Sequence, residues 1–301
     1  MKTPASTFKG ELITPQLLRA IRKLGRLSLF IREKGMHVKM KSTEEELVTE
    51  GDMLLTEAIR KMIYQLFPGC KYLDEETDNT HGIDISQDNL IAVIDPIDGT
   101  ANYYRGSLEP NKAKRNANWG ISVGFVKNGE LKAGIVCQPQ TGKIYYAEKG
   151  KGAYLNRKRL HVSPTQVPQD AKIIYSPPYP KDKKAFVINR AAIARIGKEI
   201  PMEVTTLGSQ VIEAMQVAEG KQDIFIHFQT KPWDIAAASI IVTEAGGRCL
   251  DVQANDYTLF GDTILLTNGE MDLAPVTKII SEVLHTSLSL IDEKVSERNS
   301  L

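Results

Sequence analysis

The pattern of apolar and polar positions predicts two amphipathic helices in the first part of the chain. Apolar residues recur at helical spacing over residues 17–31, after a Thr14-Pro15 pair that suits a helix start. The same spacing returns over residues 52–67. Gly35 ends the first predicted helix and Pro68-Gly69 ends the second.

From residue 91 the period changes to that of β-strands. The apolar run from Ile91 to Ile94 predicts a short buried strand, which we expect to stop pairing at Pro96. Three further strands are predicted, over residues 119–127, 131–138 and 143–148. The pairs Asn128-Gly129 and Thr141-Gly142 suit the turns between them, so this part reads as an antiparallel meander.

Beyond residue 155 predicted strands and helices alternate, which is typical of an α/β layer. The strands lie near residues 172–175, 203–206, 223–227 and 263–267, and the helices cover residues 181–197, 209–219, 234–245 and 271–287. A chain of 301 residues exceeds one ordinary core, so we predict two lobes, residues 1–155 and 156–301. The polar tail from Asp292 is expected to be loose.

The composition is that of an ordinary globular protein, with 42% apolar residues, 25% charged residues and a net charge of +1. Because no strong basic field is present, we expect no binding to nucleic acid or to an anionic membrane. The three scattered cysteines suit neither a disulfide framework nor a zinc site. No signal-peptide core and no bilayer-length apolar run is found, so we expect a cytoplasmic protein.

The segment from Asp95 to Thr100 is the strongest indication of chemistry. It places two carboxylates three residues apart at the end of the predicted strand, and Pro96 stiffens the turn between them. Asp95 and Asp98 can then converge on one point, and hard oxygen ligands suit magnesium. Gly99 allows the backbone to approach a ligand, and Thr100 offers a hydroxyl and an N–H at a helix start. An ordinary Asp-Gly turn is the alternative, which the full motif disfavours.

Two other acidic segments are weaker indications. Asp234 begins a predicted helix, where a carboxylate interacts well with the helix dipole, although an ordinary capping residue would look the same. Asp74-Glu75-Glu76 follows a predicted short strand and could supply metal ligands, although a solvated turn is the commoner structure. No HExxH, GxSxG or phosphate-loop pattern occurs, so other hydrolase classes are not supported.

With these residues in view, the chain resembles the inositol monophosphatase family of lithium-sensitive, magnesium-dependent phosphatases. The resemblance rests on a DPxDGT motif at Asp95 to Thr100, a WDxAAAxxIxxEAGG-like motif at Trp233 to Gly247, and a hairpin at Glu148 to Asn156. It implies an α/β fold built as a layered αβαβα sandwich of the sugar phosphatase type, usually found as a homodimer. The first lobe would carry most metal ligands, and the second would supply Asp234 and substrate contacts.

Carried over residue by residue, the resemblance implies two or three Mg²⁺ ions. Glu75, Asp95 and the carbonyl of Ile97 would hold one ion, and Asp95, Asp98 and Asp234 the second, with a third ion near Glu75. Asp52, Thr100 and Glu75 are the implied catalytic residues, of which Asp52 and Thr100 would orient and help deprotonate the attacking water. Lys41 would lie on a mobile loop. The implied substrate contacts are Asp98, Gly99, Thr100, Gly208, Ser209, Gln210, His227 and Asp234, and the N–H groups of Gly99 and Thr100 would receive the phosphate.

The residues at the implied substrate site depart from the family pattern. His227 stands where the inositol phosphatases have a Glu that touches inositol hydroxyls, and Gln210 stands in place of a small residue. The segments Ala218-Glu219-Gly220-Lys221 and Lys231-Pro232 resemble the corresponding segments of nucleotidases that act on 3'-phosphoadenosine 5'-phosphate. A basic loop from Ser107 to Asn118 is either a lid for a second phosphate or a solvated surface loop, and we favour the latter.

Three functions therefore stay open. The foremost is hydrolysis of a small phosphate monoester, inositol monophosphate first, by water that the metal activates. The second is a 3'(2'),5'-bisphosphate nucleotidase or another sugar phosphatase. The third, of another class, is a regulatory binding protein that keeps the phosphatase fold. The complete set of acidic residues favours an enzyme, a phosphoric monoester hydrolase.

Overall fold

The computed structural model describes residues 10–34, 38–40, 47–77, 83–86, 90–177, 183–200 and 203–284. Gly35, Lys41 and the tail from Asp292 lie outside these residues, so the predictions made for them stay predictions. Among the described residues, no helix combines the length and the apolar character that a membrane crossing requires.

The two N-terminal helices form as the spacing of apolar residues predicts. Helix α1 covers Pro15–Glu33, and the Thr14 hydroxyl caps it by accepting the N–H of Leu17 at 3.1 Å. A short antiparallel pair follows, β1 (Val38–Met40) with β2 (Leu47–Thr49). Helix α2 begins at Glu50, two residues before the predicted start, and therefore contains Asp52.

A seven-stranded sheet holds the middle of the chain, in the order β3-β4-β5-β6-β7-β8-β9. Its strands are β3 (Lys71–Asp74), β4 (Ile91–Asp98), β5 (Gly120–Lys127), β6 (Glu130–Gln138), β7 (Lys143–Glu148), β8 (Ala153–Leu155) and β9 (Lys158–Arg159). The strands β5, β6 and β7 pair antiparallel, which confirms the predicted meander. Helix α3 (Thr100–Leu108) leaves the end of β4, and a short 3-10 helix covers Lys112–Lys114.

The sequence predicted that strand pairing stops at Pro96, but strand β4 continues past this residue to Asp98. It pairs with β5 from Ile91 to Asp95, loses register over the next residues, and pairs again at Asp98 with Gly120. A proline that lacks a backbone donor interrupts a ladder without ending the strand when the irregularity absorbs it. Consequently both aspartates of the motif lie on one irregular strand.

A five-stranded sheet forms from the second half, in the order β11-β10-β12-β14-β13. Its strands are β10 (Lys172–Ser176), β11 (Glu203–Thr205), β12 (Ile224–Phe228), β13 (Arg248–Leu250) and β14 (Thr263–Thr267). The helices of this half are α4 (Lys183–Glu199), α5 (Gln210–Ala218), α6 (Pro232–Glu244) and α7, over residues 274–284. The neighbours β10 and β12 run parallel, so their carboxyl ends, Ser176 and His227 to Phe228, meet at one edge.

These elements stack in five layers, which confirms the predicted αβαβα sandwich. Helices α1 and α2 cover one face of the large sheet with an apolar core. Helices α5 and α6 lie between the two sheets, and α4 and α7 cover the outer face of the small sheet. Since α5 and α6 pack against both sheets, one layer joins the two predicted lobes, and the division at residue 155 stays a prediction.

Candidate active site

The first motif forms an internally bonded turn at the end of β4. Asp95 is 2% exposed and Asp98 is 5% exposed. Oδ1 of Asp95 accepts the backbone N–H of Ile97 at 2.9 Å, which holds the turn beside the register shift. The Thr100 hydroxyl donates to the carbonyl of Ile97 at 3.0 Å. The turn thus brings Thr100 against the carbonyl that was predicted as a ligand.

The structure brings the predicted acidic residues together around Asp95. Burial raises the pKa of Asp95 well above its ordinary value, and the negative charges of Glu75, Asp98, Asp234 and Asp52 raise it further. These residues belong to different elements: Glu75 follows β3, Asp52 is in the first turn of α2, and Asp234 is in the first turn of α6. The fold therefore collects negative charge at one place from distant parts of the sequence.

The same repulsion acts on the other two aspartates. Burial raises the pKa of Asp98 to about 6 and that of Asp234 well above its ordinary value, and the charge of Glu75 adds to both. In the described part of the chain, no three His, Cys, Asp or Glu side chains form a finished metal-binding cluster. The donors nevertheless suit a hard divalent cation, because carboxylate oxygens are its preferred ligands and its charge would relieve their repulsion.

Asp98 is held by the N-terminus of α5. The Ser209 hydroxyl and the N–H of Val211 donate to Oδ2 of Asp98, the latter at 3.0 Å, and the N–H of Gln210 donates to Oδ1 at 3.3 Å. Free N–H groups and the dipole of a helix start both stabilise a carboxylate. Ser209 and Gln210, predicted as substrate contacts, are thus also the residues that orient Asp98.

Two glycines allow this contact between the motif and α5. Gly99 has a φ of +84°, and a Cβ there would lie 2.9 Å from Cβ of Ser209. Gly208 has a φ of +77° and precedes the helix cap. Asn102 fastens the two segments, because its Nδ2 donates to the carbonyl of Asn118 at 2.8 Å and to that of Gly208 at 3.0 Å. Gly99 therefore makes room for a neighbouring segment of the chain.

His227 is buried and neutral. It lies on β12 and points to the same face as Phe225, which packs in the core around α5 and α6. Its Nδ1 lies 2.9 Å from the carbonyl oxygen of Ser176, so Nδ1 carries the proton and Nε2 is the acceptor. Burial lowers the pKa of His227 to about 4. The residue is only 2% exposed and is therefore fully buried.

The acidic residues at the end of β3 make different contacts, because Asp74 is the last residue of the strand and Glu75 follows it. Asp74 is fully buried, pairs with Arg60 and accepts the N–H of Thr77 at 3.2 Å. Glu75 donates its backbone N–H to the carbonyl of Ile94 at 3.3 Å, beside the motif strand. Asp74 thus holds the turn, and the side chain of Glu75 is the one that acts electrostatically on Asp95.

The basic loop from Ser107 to Asn118 is fastened to the rest of the protein. Lys112 Nζ lies 2.7 Å from Oε1 of Glu33, at the end of α1, and Arg115 lies 3.7 Å from the same oxygen. Gln138 Nε2 donates to the carbonyl of Ala117 at 2.8 Å. These pairs occupy two of the cations and favour a surface loop over a phosphate lid.

Sequence reasoning missed three residues that organise the site. Asn102 joins the motif to α5, Ser176 fixes the tautomer of His227, and Glu213 bonds to the segment before α5. Only Glu213 left a signal, since it is an acid in the otherwise apolar stretch Val211 to Met215.

Comparison with known proteins finds relatives that match most of the chain. The family model described as Inositol monophosphatase family matches residues 12–288. A Thermotoga maritima fructose-1,6-bisphosphatase/inositol-1-monophosphatase is 31% identical over 267 residues, which cover 89% of this chain and 95% of the relative. Human inositol monophosphatase 1 is 28% identical over 252 residues, covering 82% of this chain and 86% of the relative.

Solved structures share the fold. An IMPase from Thermotoga maritima superposes with a TM-score of 0.75 at 29% identity, covering 90% of this chain and 97% of that one. An IMPase/NADP phosphatase complexed with Mg²⁺ and phosphate superposes with a TM-score of 0.71 at 19% identity, covering 87% of this chain and 92% of that one. The motifs, the layered fold and the match over most of the sequence lead to one conclusion: the chain belongs to the inositol monophosphatase family and is a phosphoric monoester hydrolase.

Proposed function

We propose that this protein hydrolyses a small phosphate monoester in the presence of Mg²⁺, and that inositol monophosphate is the foremost substrate. The observation that carries the proposal is the group of three buried aspartates, Asp95, Asp98 and Asp234, whose pKa values are raised by burial and by the negative charges of neighbouring acidic side chains. Buried carboxylates without a cation repel one another, and a phosphate dianion could not approach them without positive charge between.

The proposed ligands are those of the motif turn and its neighbours. Glu75, Asp95 and the carbonyl of Ile97 would hold one ion, and Asp95, Asp98 and Asp234 another, with a third ion beside Glu75. Carboxylate and carbonyl oxygens of this kind are the hard ligands that Mg²⁺ prefers. When bound, Mg²⁺ neutralises phosphate charge and lowers the pKa of water.

The residues of the chain would position the reacting groups. The Thr100 hydroxyl donates its hydrogen bond to the carbonyl of Ile97, so the lone pairs of its oxygen can accept a hydrogen bond from a water. Asp52, 1% exposed and within Coulombic range of Asp95, is the proposed final proton acceptor: the Thr100 hydroxyl would turn its proton from the Ile97 carbonyl to Asp52 as its oxygen takes a proton from the water. The N–H groups of Gly99 and Thr100, at the start of α3, would receive the phosphate.

The polar atoms around the proposed substrate favour a polyol. A neutral His227 offers an acceptor at Nε2 and no charge. Oε1 of Gln210 is buried and has no hydrogen-bond partner in the described structure. These acceptors suit substrate hydroxyls, which donate; a second phosphate would require donors or cations, and of these two residues only Gln210 has donors, the N–H groups of its amide. This argument supports inositol monophosphate over a bisphosphate nucleotide.

Two alternatives differ in substrate or in class. A bisphosphate nucleotidase or sugar phosphatase, including a fructose bisphosphatase such as the Thermotoga maritima relative, would use the same ions with a different leaving group. A regulatory binding protein would keep the fold and work without turnover. We also propose the homodimer and inhibition by lithium.

The test is phosphate release with and without Mg²⁺ from inositol 1-phosphate, 3'-phosphoadenosine 5'-phosphate, fructose 1,6-bisphosphate and histidinol phosphate. We expect Mg²⁺-dependent release with inositol 1-phosphate highest, and loss of release in Asp95→Asn. If the nucleotide or fructose bisphosphate leads, the polyol argument is wrong. If none releases phosphate with Mg²⁺ present, the enzymatic proposal fails for this panel and the regulatory one gains support.

A further inference from the structure

Glu213 is a buried acid to which the proposed chemistry assigns no role. It lies on the first turn of α5, is fully buried, and is surrounded by the apolar core that fills the layer between the sheets. Burial raises its pKa to about 7, and the charge of Asp98 contributes to that rise. A carboxyl in such surroundings is costly, so its contacts must explain what it does there.

One oxygen of Glu213 collects the donors of the segment that precedes α5. Oε1 accepts the N–H of Leu207 at 2.6 Å, the N–H of Gly208 at 2.9 Å and the hydroxyl of Thr206 at 3.2 Å. The side chain therefore reaches back from the helix and holds the turn from which the helix starts. Gly208 in this turn has a φ of +77°, a left-handed conformation that glycine adopts without steric cost.

The next residue of that turn, Ser209, forms a hydrogen bond with Asp98. Ser209 caps α5 and donates its hydroxyl to Asp98, beside the N–H groups of Gln210 and Val211. The orientation of these three donors depends on where the turn before them lies. A carboxylate that must meet a metal ion at a fixed angle is sensitive to the groups behind it.

We propose that Glu213 is a positioning residue: it fixes residues 206–209 by accepting three hydrogen bonds, and this orients the Asp98 carboxylate for metal binding. The catalytic consequence rests on the function proposed above. The hydrogen-bonded turn itself does not, because it is a feature of the folded chain. To position residues 206–209, the side chain must be long enough to reach the turn and must carry an acceptor oxygen. A negative charge is not required.

Two substitutions separate reach from charge. Glu213→Gln keeps the length of the side chain and an acceptor oxygen but removes the charge. Glu213→Asp keeps the charge but is one methylene shorter and withdraws the acceptor from the turn. The matched control is Asp223→Asn, since Asp223 is also buried and accepts the N–H of Lys172 at 2.7 Å. Asp223 precedes β12 at the end opposite His227, about 13 Å away along the strand.

The first readout is amide hydrogen exchange of the peptide that covers residues 206–209, and the second is Mg²⁺ binding by calorimetry. Glu213→Asp should speed exchange and weaken Mg²⁺ binding by about tenfold. Glu213→Gln should stay within about threefold of the unaltered protein in both. Asp223→Asn should leave both unchanged even where it lowers the melting temperature.

Three results would overturn the proposal. The first is unchanged exchange and Mg²⁺ affinity in Glu213→Asp. The second is an equal loss of exchange protection and Mg²⁺ affinity in the Gln and Asp variants, which would show that side-chain length alone does not explain the effect. The third is an equal shift in Asp223→Asn, which would make it a general loss of stability. A lack of phosphate release by the unaltered protein would count against the proposed function alone, because neither readout depends on turnover.

Discussion

The close packing of α6 on the large sheet offers a sharp test, the substitution Gly134→Ala. Gly124 on β5 and Gly134 on β6 lie opposite each other, and α6 crosses them. A Cβ at Gly134 would lie 2.7 Å from the carbonyl oxygen of Ala237 and 2.6 Å from Cγ2 of Ile240. The sheet therefore leaves no space for even one methyl group beneath the helix.

The expected magnitude follows from these distances. Carbon atoms pack at about 3.5–4.0 Å, so the added methyl group overlaps its neighbours by about 1 Å. One of those neighbours is a helix backbone that cannot rotate away. Overpacking of this kind costs about 1–3 kcal/mol of the free energy of unfolding. If α6 moves instead, Asp234 in its first turn moves with it, and a 1 Å displacement costs about 100-fold in rate.

The assay pairs urea unfolding with the Mg²⁺ dependence of phosphate release. The control is Gly197→Ala in the last turn of α4, where a Cβ would lie at an ordinary 3.6 Å from Cγ2 of Val204. That variant should gain about 0.5–1 kcal/mol, because alanine favours a helix over glycine. Unfolding and Mg²⁺ dependence like those of the unaltered protein in Gly134→Ala would refute the reasoning.

Three further predictions concern charge. Asp95→Asn keeps the size of the side chain but removes the central charge, so phosphate release should fall at least about 100-fold while the melting temperature of the metal-free protein rises. Arg60→Met leaves Asp74 buried without its cation and should cost about 1–3 kcal/mol in urea unfolding, less than a fully buried pair because Arg60 is 30% exposed. The folded-state pKa of Asp98, about 6, lies above its ordinary 3.8, so its protonation stabilises the metal-free protein at low pH and this stability is lost as the pH rises through about 6. Mg²⁺ should therefore raise the melting temperature more at pH 8 than at pH 5, which calorimetry can check; an equal rise at both would contradict the shift.

The spacing of apolar residues was enough to predict the positions of regular helices and strands that bury an apolar face. Helix α1 and the strands β5 to β7 follow their predicted positions because the spacing of apolar residues directly encodes burial. The continuation of β4 past Pro96 could not be read this way. It depends on a partner strand that tolerates a register shift, and a rule about one residue does not contain that partner.

The candidate site likewise contains residues that the sequence predicted and contacts that it did not. Motif spelling pointed to Asp95, Asp98 and Asp234, and the structure places all three in one electrostatic group. The motifs gave no indication that the Ser209 hydroxyl donates a hydrogen bond to Asp98 or that Asn102 joins the motif turn to the segment before α5. Those contacts link residues that are far apart in sequence. Hydrogen-bond partners set by tertiary structure carry no local pattern.

The contact between Asp98 and the start of α5 also has a consequence for the order of folding. It joins residues that are 111 to 113 positions apart, and closing so long a loop is slow compared with forming a helix or hairpin. During synthesis β4 would emerge well before α5 and α6, with its aspartates still exposed to water and not yet repelling their later neighbours. The acidic group would thus assemble at a late step, and a chain released before α6 would lack a complete site.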